Sequence, residues 1–252
     1  MKSLLKFIRT AVLPRLDDPV ALLLVGSHAE GNANAASDID LIAVAAPPRS
    51  GRYRVRKREF DVEGRVVGVD FLTESQLRRR LRSLDSVYST GRHAGDGIAT
   101  RVADSLLVHD TGGVGRGLID EARRFRPAPA TLREMARVCI TFYQDTLGCI
   151  DDRDSQTAVL MARQAATIAV DCYLLQQGMY SLKPKWHLRR LRRLDAAGVL
   201  SRYQRVLGLE TVTEPLHAAR VLAELDRLVC EVLRIPNVQE FERSPLWAEA
   251  EA

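Results

Sequence analysis

Hydrophobic positions recur with two different periods along the chain, and the change from one to the other divides it. Leu4, Leu5, Ile8 and Val12 recur at helical spacing and predict an amphipathic N-terminal helix. Residues 20–25 form a continuous apolar run, the pattern of a strand buried on both faces, ended by Gly26-Ser27. Residues 37–44 read as a second strand, broken off by Pro47, Pro48 and Gly51. Residues 53–62 and 65–72 predict two strands joined by a turn at Glu63-Gly64. A basic helix over 74–84 follows, then a short strand over 105–109 before the Thr111-Gly112-Gly113 turn.

From about residue 129 the period is helical. Long apolar stripes cover 132–150, 156–177 and 215–233, with a shorter basic helix over 186–194 and Gly178 at a helix C-cap. Residues 124–130 carry two prolines and read as a linker. The expected fold is α+β: a mixed-sheet domain over 1–123, then an all-α helical bundle over 129–252.

Composition narrows the class. With 252 residues, 46% hydrophobic and 27% charged, the chain can bury a core without staples, which excludes a disordered, collagenous or disulfide-built protein. Lys plus Arg is 37 and Asp plus Glu is 32, a net charge of +5. Apart from the short run Arg78, Arg79, Arg80 and Arg82, the arginines are scattered, unlike the concentrated charge of a dedicated DNA binder. Cys139, Cys149, Cys172 and Cys230 lie in apolar helical stretches without metal-ligand spacing, so buried free thiols are expected. No signal-peptide pattern opens the chain, and no apolar run was expected to reach the ~20 residues of a membrane span. A soluble cytoplasmic protein, without membrane or stable nucleic-acid partner, is the expectation.

The chemistry concentrates in a few acids. Strand side chains alternate, so Asp38 and Asp40 share one face while Ile39 and Leu41 share the other. By the same rule Val67, Val69 and Phe71 face a core, and Gly68 and Asp70 face away from it. Two carboxylates one strand repeat apart repel each other, and a hard cation such as Mg²⁺ removes that cost. A third carboxylate on a neighbouring strand would complete a site for two metals roughly 3.5–4 Å apart, the geometry of phosphoryl transfer. A strand pair of this kind also occurs as a plain solvated sheet face. The Gly26-Ser27 step tips the reading, because it follows a buried strand and opens onto a helix, where a glycine lets backbone approach a phosphate.

Val25-Gly26-Ser27, a spacer of ten residues, and Asp38-Ile39-Asp40-Leu41 resemble the signature of the DNA polymerase beta-type nucleotidyltransferase superfamily, with Asp70 in the place of its third acid. A mixed domain followed by a helical bundle, with Lys183-Pro184-Lys185-Trp186 after a long helix, is similar to the kanamycin and streptomycin nucleotidyltransferases. The resemblance implies Asp38, Asp40 and Asp70 as metal ligands and catalytic acids for two Mg²⁺ ions. It implies Gly26, Ser27 and Ser37 on the triphosphate of ATP or another nucleoside triphosphate, with Lys183 and Lys185 reaching it from the second half. The implied reaction moves AMP, or another nucleoside monophosphate, onto a hydroxyl of a small-molecule acceptor such as an aminoglycoside-like antibiotic or a biosynthetic intermediate.

Some alternatives stay open. Relatives of this kind also share sites between subunits, which makes a homodimer an expectation. The base could be Asp70 or one of Glu74, Asp145, Asp152 and Asp171, each of which also reads as an ordinary helix residue. Asp171 interrupts an apolar run and needs a partner, for which an arginine is the simplest expectation. The same catalytic core serves protein adenylyltransferases of toxin–antitoxin type, and a catalytically silent nucleotide-binding module is the remaining reading. No histidine carries the upstream arginine spacing of HEPN-type ribonucleases, which disfavours that activity in the helical half.

Overall fold

The computed structural model describes residues 1–35, 37–46, 56–89, 97–180, 182–208, 216–235 and 237. Pro47, Pro48, Gly51, positions 53–55 of the third expected strand and the first residue of the last expected helix lie outside them. The chain divides into two units, one from Met1–Leu84 and Gly95–Phe125, the other from Asp85–Ala94 and Arg126–Ala252.

In the first unit, helix α1 (Lys2–Phe7) widens into a π-helical turn (Ile8–Val12) and ends in a 3-10 turn (Leu13–Arg15) containing Pro14. Leu4, Ile8, Val12 and Leu16 are spaced by four, more than the 3.6 residues of an α-turn, and the wider turn keeps all four on the core. The sheet has five strands: β1 (Ala21–Val25), β2 (Ile39–Ala45), β3 (Arg56–Val62), β4 (Arg65–Thr73) and β5 (Leu106–Asp110). Their order is β3-β4-β2-β1-β5, with β2 and β4 parallel and every other neighbouring pair antiparallel. The expected second strand begins two residues late, at Ile39, which leaves Asp38 just outside the ladder.

One face of this sheet carries Leu22, Leu24, Ile39, Leu41, Ala43, Val67, Val69 and Phe71 against the N-terminal segment. The opposite face receives α3 (Glu74–Arg82) and α6 (Val114–Arg124). Between them along the chain lie two short helices, α4 (Leu84–Ser89) and α5 (Gly97–Thr100). Helix α3 is started by a capping box in which Thr73 and Gln76 satisfy each other's backbone N–H. Arg78 on α3 pairs with Glu74 and with Glu121 of α6, so the arginine run is not wholly a solvated face. Helix α6 was not expected from the sequence. Gly115 has a packing reason: a Cβ there would lie 2.7 Å from Leu107 Cδ1 and 2.9 Å from Ala21 Cβ. Asp110 at the end of β5 accepts the N–H groups of Gly115 and Arg116 and fixes the start of that helix.

The second unit is helical: α7 (Pro129–Asp151), α8 (Ser155–Gln176), a 3-10 turn (Pro184–Trp186), α9 (His187–Arg193), α10 (Ala197–Val206) and α11 (Leu216–Leu233). Helix α8 is its centre, packing on α7, α10 and α11 through Ala158, Ala162, Ala165, Ala166 and Ala169, all fully buried. At 22 residues α8 is long and apolar enough to cross a bilayer, contrary to the expectation that no run would be. Its buried alanines and Asp171 fit the core helix of a bundle instead. The unit also takes in α4: Asp85 accepts from Ala128 N at 2.8 Å and Thr131 Oγ1 at 2.7 Å, and Tyr88 donates to Tyr180 O at 2.5 Å. Of the four thiols, Cys139 and Cys172 are buried as expected, while Cys149 and Cys230 are only half-buried.

Candidate active site

Asp40 and Asp70 emerge on the same face of two parallel neighbours. The register sets Asp40 opposite Gly68 and Ile42 opposite Asp70, so the two acids are diagonal partners across the pair. A Cβ on Gly68 would lie 3.8 Å from Asp40 Oδ1, an ordinary contact. Arg101 joins the two acids. Arg101 Nη2 lies 2.9 Å from Asp70 Oδ2, and Arg101 Nη1 lies 3.5 Å from Asp40 Oδ1. The Arg101 and Asp70 side chains are only 11% and 13% exposed, and Asp40 is 27% exposed, so the cluster is sheltered but open on one side.

The other oxygen of Asp40 faces the glycine corner. Gly26 takes φ +71°, and a Cβ on it would stand 2.4 Å from Asp40 Oδ2. Both the backbone conformation and the close approach require glycine at this position. Ser27, the next residue of the short helix α2 (Gly26–Ala29), is buried. Lys57 on β3 stands opposite Asp70 and extends toward the same face. Its hydrogen bond to Glu59 holds the Lys57 ammonium above its ordinary value, with Asp70 and Asp40 adding to the effect.

Asp38 stands apart from this cluster. It is exposed, precedes β2, and lines a cavity of about 810 Å³ together with His28, Asn34, Ser37, Gly64 and Arg65. The Ser37 hydroxyl is engaged in a turn, accepting from Asn34 N at 2.9 Å and donating to Asn34 Oδ1 at 3.1 Å. His28 Nε2 lies 3.4 Å from Ser37 O and closes that turn back on the corner. Among the described residues no group of three or more His, Cys, Asp or Glu side chains stands together as a metal site. The structure thus brings two of the three expected acids onto one cation.

The donor chemistry of that pair fits a hard divalent cation. Both ligands are carboxylate oxygens on adjacent strands, and a positive group already lies between them, where a magnesium ion would be held. Arg101 is the residue that sequence reasoning missed. It sits in the turn after α5, 31 positions beyond Asp70, and no local spacing marks it.

The remaining candidates lie elsewhere. Glu74 is tied to Arg78 at 2.8 Å. Asp145 and Asp152 are exposed, on α7 and at its C-cap. Asp171 is buried in the helical unit, where His187 Nε2 lies 2.8 Å from Asp171 Oδ1, and His187 Nδ1 lies 3.0 Å from the Tyr203 hydroxyl. Lys183 precedes the 3-10 turn, and Lys185 and Arg189 lie over the Trp186 ring at 4.9 and 5.2 Å.

The comparisons converge on the same strands. Residues 2–91 match the sequence model of the family described as "Nucleotidyltransferase domain". No curated protein matches the chain in sequence. In fold it is similar to the crystal structure of a nucleotidyltransferase-like protein from Exiguobacterium sibiricum 255-15, at 15% identity and a TM-score of 0.50, covering 91% of this chain and 76% of that one. The matched span contains the glycine corner and both strand carboxylates.

Proposed function

We propose that the protein transfers a nucleoside monophosphate from a nucleoside triphosphate, ATP by resemblance, to a hydroxyl of a small-molecule acceptor and releases pyrophosphate. The observation that carries this reading is the convergence of Asp40 and Asp70 on one cation beside the Gly26 corner.

In this reading Asp40 and Asp70 would hold magnesium, with Asp38 approaching from the exposed residue before β2. Bound there, magnesium supplies charge neutralisation at the α-phosphate and at the departing pyrophosphate. Gly26, Ser27 and Ser37 line the approach of the triphosphate, and the glycine keeps Asp40 in place by leaving room for its carboxylate. The acceptor oxygen bonds to the α-phosphorus as the bond to the β-phosphate oxygen breaks. Pyrophosphate leaves with that electron pair, and Asp70 takes the proton of the hydroxyl. The cavity beside Asp38, polar through His28, Asn34 and Arg65, offers space in this unit for a ligand.

The test is incubation with magnesium and each α-labelled nucleoside triphosphate, in the presence of aminoglycosides, a metabolite extract or candidate proteins. Label on a small molecule is the expected result. Label on a protein would replace the acceptor class with the adenylyltransferase alternative, and nucleotide binding without turnover would overturn the enzymatic reading.

A further inference from the structure

We infer that Arg101 is a positioning residue of the carboxylate pair, a resident counter-cation that exchanges with the metal: either its guanidinium or a divalent ion sits between Asp40 and Asp70, never both. The inference rests on the nucleotidyl-transfer reading and goes beyond it, because Arg101 lies outside the matched span 2–91.

The geometry carries it. Asp40 Oδ1 and Asp70 Oδ2, the two oxygens that face each other across the strand pair, are the ones Arg101 touches, at 3.5 and 2.9 Å. A metal held by both acids would compete with Arg101 for those carboxylates. A guanidinium and a divalent ion would then stand within a few ångströms of each other in a sheltered site, where like charges repel strongly. Without either cation, the two carboxylates repel across the parallel pair. Lys57 does not replace Arg101, because it is 61% exposed and committed to Glu59 at 2.5 Å.

The guanidinium suits a holding role. Its planar fork spans two acids at once, which a point-charge ammonium does less well. Its backbone is fixed by the turn after α5, where Arg101 N donates to Ile98 O at 3.2 Å. Exchange is then a movement of the side chain on a fixed backbone. Arg101 keeps the acids aligned and paired before metal arrives, at the expense of metal affinity.

The experiment is Mn²⁺ binding by calorimetry to the full chain, as wild type, Arg101→Gln and Arg101→Lys, with melting temperatures measured with and without Mn²⁺. Arg101→Gln is expected to bind Mn²⁺ about tenfold more tightly, equivalent to about 1.4 kcal/mol. It should also melt lower than wild type without metal and recover the difference at saturating Mn²⁺. Arg101→Lys, which keeps the charge and loses the fork, should fall between, and it serves if Arg101→Gln does not fold. If wild type binds Mn²⁺ and the folded variants bind no tighter, the exchange is wrong while the nucleotidyl-transfer reading stands. If no folded form binds Mn²⁺ at all, both fall.

Discussion

Gly26 is where backbone and chemistry meet most tightly. Its φ of +71° and the 2.4 Å approach of Asp40 Oδ2 to the position a Cβ would take make two separate demands for glycine. Gly26→Ala should cost about 1–2 kcal/mol for the left-handed backbone alone. The larger effect should be on function, because the new methyl displaces the Asp40 carboxylate from Arg101. A melting point lower by a few degrees, with Mn²⁺ binding and nucleotide transfer lost, is the expected outcome. Full transfer activity in Gly26→Ala would show that Asp40 does not need its present position. At this scale the sequence was legible where the signal is local. Gly26, Asp40 and Asp70 could be found because strand alternation and a short spacer put them on the page together. Arg101 could not, because its partner is set by how the chain returns to the sheet. Asp171 announced that it needed a partner, and His187 on another helix is one residue that faces it.

Strands β1, β2 and β4 and helices α7 and α8 follow from period and run length, since each is long enough for its pattern to dominate. Helices α5, α6 and α10 escaped for physical reasons. Helix α5 is a single turn, and α6 carries Gly115 in its first turn, which is there for close approach to the sheet. Helix α10 opens at Ala196, which offers no side-chain cap. The bundle around α8 makes a prediction of its own. Burial pushes the Cys139 thiol up to about 12, and burial together with Asp226 does the same for the Tyr143 hydroxyl. Both groups keep their protons in the folded state after the unfolded chain has lost them. Stability of the helical unit should therefore fall as pH rises from about 9 toward 12. Thiol titration at neutral pH checks the same packing: Cys149 and Cys230 should react with a disulfide reagent well before Cys139 and Cys172. Equal reactivity of all four would contradict the burial of α8.

The boundary between the units is not a single cut in the sequence. Helix α6 ends at Arg124 and α7 begins at Pro129, so the proline-bearing segment does join helices, yet residues 85–89 belong with the helical unit through Asp85 and Tyr88. Composition could not reveal this, because α4 is short and its anchoring groups are paired to a distant stretch of chain. In hydrogen exchange, the amides of α4 should be protected together with α7 and α8 rather than with the sheet. Exchange of α4 in step with β2 and β4 would place it in the other unit. The central claim is that Asp40 and Asp70 act as one site for nucleotidyl transfer. Its most direct test is transfer of α-labelled nucleoside monophosphate with magnesium, comparing wild type with Asp40→Asn and Asp70→Asn, each shown to be folded by circular dichroism. The account predicts that each variant loses transfer by at least about a hundredfold. Transfer at the wild-type rate in either folded variant would contradict it.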